Sequence, residues 1–398
     1  MEDGELNTMT DIERDRPIIV MGTNRWGDDW QTRQQITSRL GGRGWQVAYS
    51  TGTLFAWDRF TDDWRDCGWF ESSTRKYDVE VHMPGRWQLR WPKLPAWDRF
   101  VVRRYLSGLK KRVGWSAERR PLVYVFHPVF WPYVEVLGDC SVVYHADDTF
   151  SSMPGWTEEQ ARMQEKLVAR ADLIVASSPG MAEALPNDGP ARTRQLPNGA
   201  DTPAFINAAG CECPDDLAAI PHPRIGYVGK INEKVNLALV LSIARQKPDW
   251  QWVFIGLVHE EHLTPETAAI YGACKALPNV HFLGFKPYHG LPAYNTHMDV
   301  NVMCYRSEQG GWWTDLYPLK LHEYLATGKP VVGADIRIIK QFSEVVAVAG
   351  SEAEWLSALE DAIENGGVST PGERQRVAAE NSWDGRVDQL ESWLNELG

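Results

Sequence analysis

At 398 residues the chain exceeds the roughly 250 to 300 at which a single core stops growing, so two domains are expected. Hydrophobic residues make up 43%, which excludes wholesale disorder, and no apolar run approaches the roughly 20 residues of a membrane span. The net charge of −12 and the lack of a known reader motif argue against nucleic acid as a partner.

Residues 1–16 are acidic and polar, unlike a signal peptide, and are expected to form a disordered tail. Pro17-Ile18-Ile19-Val20-Met21 predicts a buried first strand. A turn from Gly22 to Gly27 follows, then a helix from about Asp28 to Gly41 capped by Asp28 or Asp29, and a strand from Trp45 to Tyr49. Strand, glycine-bearing loop, helix and strand make a Rossmann-like unit; it lacks G-x-G-x-x-G, so no dinucleotide site is read into it.

From Thr51 to Trp97 the periodicity is poor and tryptophan is dense; 12 of the 19 Trp residues precede residue 157. An indole ring suits stacking on a sugar or anchoring among lipid headgroups, although many serve as core. Charge is uneven along the chain. Residues 1–130 hold 21 Lys+Arg against 17 Asp+Glu, and the remainder holds 20 against 36. Asp98 to Arg120 has eight basic and two acidic residues interleaved with apolar ones. Peripheral contact with an anionic membrane through residues 98–120 is therefore expected, against the plainer reading of a solvated helix face.

Pro121 to Phe126 predicts a strand ending at His127, and Ser141 to Tyr144 one running into His145-Ala146-Asp147-Asp148. Ligands bind beyond the C-terminal ends of parallel strands, where a carboxylate can take a proton from an acceptor hydroxyl. Alternatively, one Asp caps the next helix while the other pairs with a nearby Arg. Glu158 to Arg170 predicts a helix, Ala171 to Ala176 a strand, and Asn207 to Asp216 a linker.

The strand Arg224 to Lys230 ends in Gly229, where backbone can approach a phosphate, with Lys230 or Lys234 adding charge. Further strands are expected at Trp252 to Gly256, Val280 to Gly284 and Asp299 to Arg306. Next comes WWTDLYPLKLHEYLATGKPVV, read as a loop, a helix with Pro318 in its first turn, a cap at Gly328 and a strand. Lys320 and Glu323 fall on one face of the first turn, either as an anion site or as an ordinary exposed pair. Asn381 to Leu397 predicts an amphipathic helix, and six scattered cysteines read as reduced thiols of a cytoplasmic protein.

PLKLHEYLATGKPVV resembles the donor-site signature of GT-B glycosyltransferases. That resemblance implies an α/β fold of two Rossmann-like domains facing across a cleft, with a C-terminal helix crossing back to the first domain. The domains implied are an acceptor-binding one at 17–206, a nucleotide-sugar donor-binding one at 207–380, and the C-terminal helix at 381–398. It also implies that Lys320 contacts the diphosphate and Glu323 the ribose. Gly229, Lys230, Tyr305, Arg306, Asp315, Tyr317, Pro318 and Leu319 would share the donor site, and Phe285 would open the wall of the base pocket. VYHADDTFSSMPG resembles a segment of bacterial polysaccharide glycosyltransferases, including the xanthan-pathway glucuronosyltransferase, and that match makes Asp148 the catalytic base. Gly22, Thr23, Trp26, His127 and Asp147 would lie on the acceptor side. ADLIVASS followed by LPNGAD resembles the close of the first domain in the same superfamily.

Asp315 stands where many retaining members carry the first of two glutamates, so the expected reaction is inverting. The implied function is transfer of a sugar from a nucleoside-diphosphate sugar, UDP favoured over GDP, to a glycan or lipid-linked acceptor. It is expected to need no metal or other cofactor, and to occur in the cytoplasm or on the inner face of the plasma membrane. A nucleotide-sugar epimerase of the same fold and a non-enzymatic carbohydrate-binding protein are the alternatives.

Overall fold

The computed structural model describes residues 16–27, 29–153, 155–308 and 311–397. The acidic tail and Asp28 lie outside them. The chain divides into two compact units, the first taking described residues up to Leu196 and again from Val387, the second Pro197–Arg386.

The first unit is built on eight strands: β1 (Ile18–Met21), β2 (Val47–Ser50), β3 (Ser72–Lys76), β4 (Val79–Met83), β5 (Leu122–Val125), β6 (Ser141–Ala146), β7 (Leu173–Ala176) and β8 (Thr193–Gln195). They form one sheet in the order β3-β4-β2-β1-β5-β6-β7-β8, parallel except for the β3–β4 hairpin. The central runs IIVM, LVYV and LIVA are buried along their whole length, as strands covered on both faces must be. Register sets Ile18 opposite both Val47 and Leu122, so β1 lies at the middle of this core.

The second unit has six parallel strands: β9 (Arg224–Val228), β10 (Gln251–Ile255), β11 (Val280–Phe282), β12 (Val300–Met303), β13 (Val331–Ala334) and β14 (Ala347–Ala349), ordered β11-β10-β9-β12-β13-β14. Among the described residues no helix is long and apolar enough to cross a membrane.

Several expectations need correction. The first helix begins at Thr32 rather than near residue 28, with Gln31 as its cap, and Gln31 and Gln34 bond reciprocally. The poorly periodic stretch holds the β3–β4 hairpin, which turns on Tyr77 and Asp78, both at positive φ. The division falls at Leu196/Pro197, ten residues before the expected 206, because Asn198 bonds the Tyr317 carbonyl and the helix Thr202–Asn207 packs on Lys320–Ala326. LPNGAD, apart from its leucine, thus lies in the second unit. Residues expected as a linker form short helical turns, Ala208–Gly210 and Asp215–Ala218. At the C-terminus the helix Trp383–Asn395 enters the first unit at Val387. There Glu391 pairs with Arg43 and accepts from the Trp45 indole at 2.6 Å, and Glu396 pairs with Arg194.

Candidate functional site

In the second unit the carboxyl ends of β9 and β12 meet the start of the helix Lys320–Ala326. β9 stops at Val228, and Gly229 follows at φ +130, a conformation L side chains rarely adopt. A Cβ at this glycine would sit 2.8 Å from the Lys320 ammonium. Lys320 is buried, with Nζ 3.6 Å above the centre of the Tyr227 ring and 5.4 Å from that of Tyr305. Among the described residues no carboxylate pairs with it. Burial, reinforced by the charge of Lys234, holds its pKa well below the ordinary lysine value. Two aromatic faces and one glycine therefore surround an amine whose charged form burial disfavours and a bound anion would favour.

Glu323, one helical turn on, is also buried. Burial pushes its carboxyl up to about 8, opposed by the Tyr288 hydroxyl and Lys320 and reinforced by the charge of Asp201. Arg306 extends from the segment after β12 to within 4.0 Å of Glu233 and donates to Thr267 Oγ1 at 3.4 Å, so its charge is already met.

The rest of the expected donor set divides. Tyr305 and Gly229 adjoin Lys320 directly. Lys230 is exposed, Asp315 is half-buried at the end of the turn Trp312–Thr314, and Phe285 is an exposed ring after β11. Tyr317 is not brought to the ammonium: its hydroxyl bonds His322 Nε2 at 2.8 Å in the interior. Pro318 precedes the first turn, because Leu319 is the cap and the helix has seven residues. Attraction for an anion here rests on the Lys320 charge rather than on a long helix dipole.

In the first unit, β6 delivers Asp147 and Asp148 at its carboxyl end. Asp147 is buried against Arg33, 2.9 Å from Nη2, and burial raises its pKa against the pull of that cation. Arg33 also donates to Asn24 Oδ1 at 2.6 Å. One of the adjacent aspartates is thus paired with an arginine, as the structural alternative held, while Asp148 stays half-buried beside it. His127 accepts from the Val129 N–H through Nδ1, leaving its proton on Nε2, and burial lowers its pKa to about 4. Gly22 leaves room for the Tyr49 hydroxyl, which reaches the Asn24 carbonyl at 2.6 Å. Trp26 is buried edge-on against Tyr49, and Thr23 is exposed.

Sequence reasoning missed Tyr227, Tyr288 and Arg33, the groups that lie against or interact with Lys320, Glu323 and Asp147. It also missed a cavity of about 180 Å³ that Thr23 shares with the backbone run Thr51–Phe55, Arg90 and Tyr133. Arg33 sits in a helix, TRQQITSRLGG, whose polar side chains are largely buried, and no apolar stripe marks its inner face. Among the described residues, His259, Glu261 and His262 bring potential metal-ligand atoms within 4.8 Å of one another on an exposed turn after β10.

Residues 222–365 match the family model of glycosyl transferases group 1. That match lies within the second unit. Over 232 residues the chain is 26% identical to the Bacillus subtilis protein named teichuronic acid biosynthesis glycosyltransferase TuaH, and the match covers 55% of each chain. The chain therefore spans about half the length of that curated relative. Solved structures with the same fold include sucrose-phosphate synthase from Thermosynechococcus elongatus, at TM-score 0.73 and 15% identity. Anabaena HepE in complex with UDP and glucose gives 0.67 at 15%, and the trehalose-6-phosphate synthase OtsA 0.66 at 12%. Each likeness covers 96% of this chain and 99% of the other. The whole chain has the GT-B fold: two α/β domains with mostly parallel sheets.

Proposed function

We propose that this chain is a glycosyltransferase that moves a sugar from a nucleoside-diphosphate sugar, with UDP as the nucleotide, to a glycan or lipid-linked acceptor in surface polysaccharide or glycolipid synthesis. The observation that carries the reading is the buried, unpaired Lys320 ammonium beside Gly229. A diphosphate would supply the missing negative charge, and that charge grows as the leaving group departs, so the interaction strengthens in the transition state. Glu323 would receive the ribose hydroxyls. The group 1 match of residues 222–365, the likeness to TuaH and the UDP and glucose of the HepE complex support the same reading.

Transfer would be a single displacement. The acceptor oxygen attacks the anomeric carbon, its proton passes to Asp148, and the carbon–oxygen bond to the diphosphate breaks to release the nucleotide. Asp148 is the residue on which the resemblance of VYHADDTFSSMPG places the base, and the Asp147 carboxylate beside it is paired with Arg33. Protein cations meet the leaving group in this scheme, so no metal ion is proposed in it. Six thiols scattered without a bridging pattern support a reducing compartment, and we propose the cytoplasm.

The test is thermal stabilisation of wild type and Lys320→Ala by UDP, GDP and ADP, with and without magnesium and zinc, alongside turnover of UDP-sugars. Wild type should be stabilised selectively by UDP without metal. Lys320→Ala should keep its circular dichroism, lose the UDP response and lose roughly 10²–10³ in turnover. Full turnover in that variant would sink the assignment.

A further inference from the structure

Ten of the thirteen large hydrophobic side chains that stand exposed among the described residues fall between Trp57 and Phe100. They include Trp57, Trp69, Phe70, Trp87, Trp91 and Trp97, with Phe70 75% exposed and Trp69 65%. The segments bearing them are fastened together. Phe55 bridges Arg90, with Ala56 N–H donating to the Arg90 carbonyl at 2.9 Å and Arg90 N–H to Leu54 at 2.8 Å, which sets Trp57 near Trp91. The Arg86 N–H donates to Gly68, and a Cβ on Gly85 would meet the Trp69 carbonyl at 2.8 Å, which sets Trp69 and Phe70 near Trp87. The helix Pro95–Arg112 joins through Arg104, 4.9 Å above the Trp87 ring, and Trp97, whose indole bonds the Leu89 carbonyl.

The charge around these rings is net basic: residues 55–70 hold Arg59 and Arg65 against Asp58, Asp62, Asp63 and Asp66, of which Asp62 pairs with Arg65 and Asp63 and Asp66 pair with Arg25. Residues 84–112 hold nine Lys+Arg and one acidic residue, Asp98, and Asp98 is consumed in a buried pair with Arg90 at 2.7 Å. Lys93, Arg99, Arg103 and Lys111 are exposed and make no ion pair among the described residues. Elsewhere the chain is acidic enough to bring its net charge to −12. A flat anionic surface nonetheless feels mainly the charges within a Debye length of about 8–10 Å, so this region would be drawn to it while the acidic remainder is screened. Amphipathic rings beside unpaired cations match the layer where lipid headgroups meet acyl chains.

We propose that the aromatic, basic face formed by residues 55–70 and 84–112 docks this protein on an anionic lipid bilayer. The inference extends the functional reading by stating where a lipid-linked acceptor would be met. It is tested by flotation of the whole protein, without nucleotide, on vesicles of phosphatidylcholine mixed with phosphatidylglycerol, against phosphatidylcholine alone. Wild type should float with the anionic vesicles and be released by salt. Trp69→Ser with Phe70→Ser should lose at least about tenfold in partition, and Arg103→Glu with Lys111→Glu at least about fivefold for each cation removed. UDP-induced stabilisation measured on the same samples reports on the donor site alone, so failure of either reading is seen separately. The docking proposal is overturned if wild type stays off anionic vesicles at low salt, if both double variants bind as wild type does, or if sedimentation shows these residues closing a dimer that has no affinity for lipid.

Discussion

Single side chains set the chemistry of each unit, and they do so through burial. Arg33 and Asp147 are both removed from water, so each depends on the other. Removing one partner of such a pair leaves an uncompensated buried charge, which costs about 3–5 kcal/mol. Arg33→Ala should therefore destabilise the first unit by that amount in urea unfolding, and a loss below about 1 kcal/mol would show that Asp147 finds another partner or neutralises cheaply. Arg33 also bonds Asn24 and lies over the Phe126 ring, 5.6 Å from its centre, so the substitution further loosens the loop after β1. Lys320 differs in kind. Its amine has aromatic faces and, among the described residues, no paired carboxylate, so charging it costs the free protein stability and becomes favourable once an anion arrives.

At the scale of elements, the strands were legible wherever both faces are covered. Runs such as IIVM and LVYV leave no other reading than a buried strand bounded by polar turns. The β3–β4 hairpin was not legible, because Ser72–Lys76 is almost wholly exposed and carries no apolar alternation. Its turn is also made by Tyr77 at φ 50, a residue that does not favour this conformation, followed by Asp78 at φ 58. Replacing the pair by Asn-Gly relieves that strain and should stabilise the first unit by about 0.5–1 kcal/mol, read as a higher urea midpoint with an unchanged slope. An unaltered midpoint would mean that Tyr77, which packs edge-on against Trp30 at 4.9 Å, contributes as much as its backbone costs.

For the molecule as a whole, buried imidazoles set the response to acid. His127 has its pKa lowered to about 4, and His145 and His322 to about 3, in each case by burial first and a nearby arginine second. His145 lies between the Tyr124 and Ser177 hydroxyls, and His322 beside that of Tyr317. The unfolded chain titrates near 6.5, so between there and about 4 it binds more protons than the folded chain does, and stability falls as pH falls. Melting temperature should drop progressively across that window in both units. A flat profile from neutrality to pH 4.5 would contradict the neutral, buried state of these three groups.

The sequence by itself determined that there are two parallel-sheet domains, which segments form their buried central strands, and that Lys320 and Glu323 lie one helical turn apart. Each of these follows from local pattern: apolar runs, turn residues and helical spacing act over a few positions. Tertiary structure alone decided that Lys320 lies on Tyr227 and beneath Gly229, that Asp147 pairs with Arg33, and that Tyr317 turns inward to His322. Those outcomes join residues up to about a hundred positions apart, and burial and pairing, which fix a side chain's charge and availability, exist only once distant strands and helices have packed.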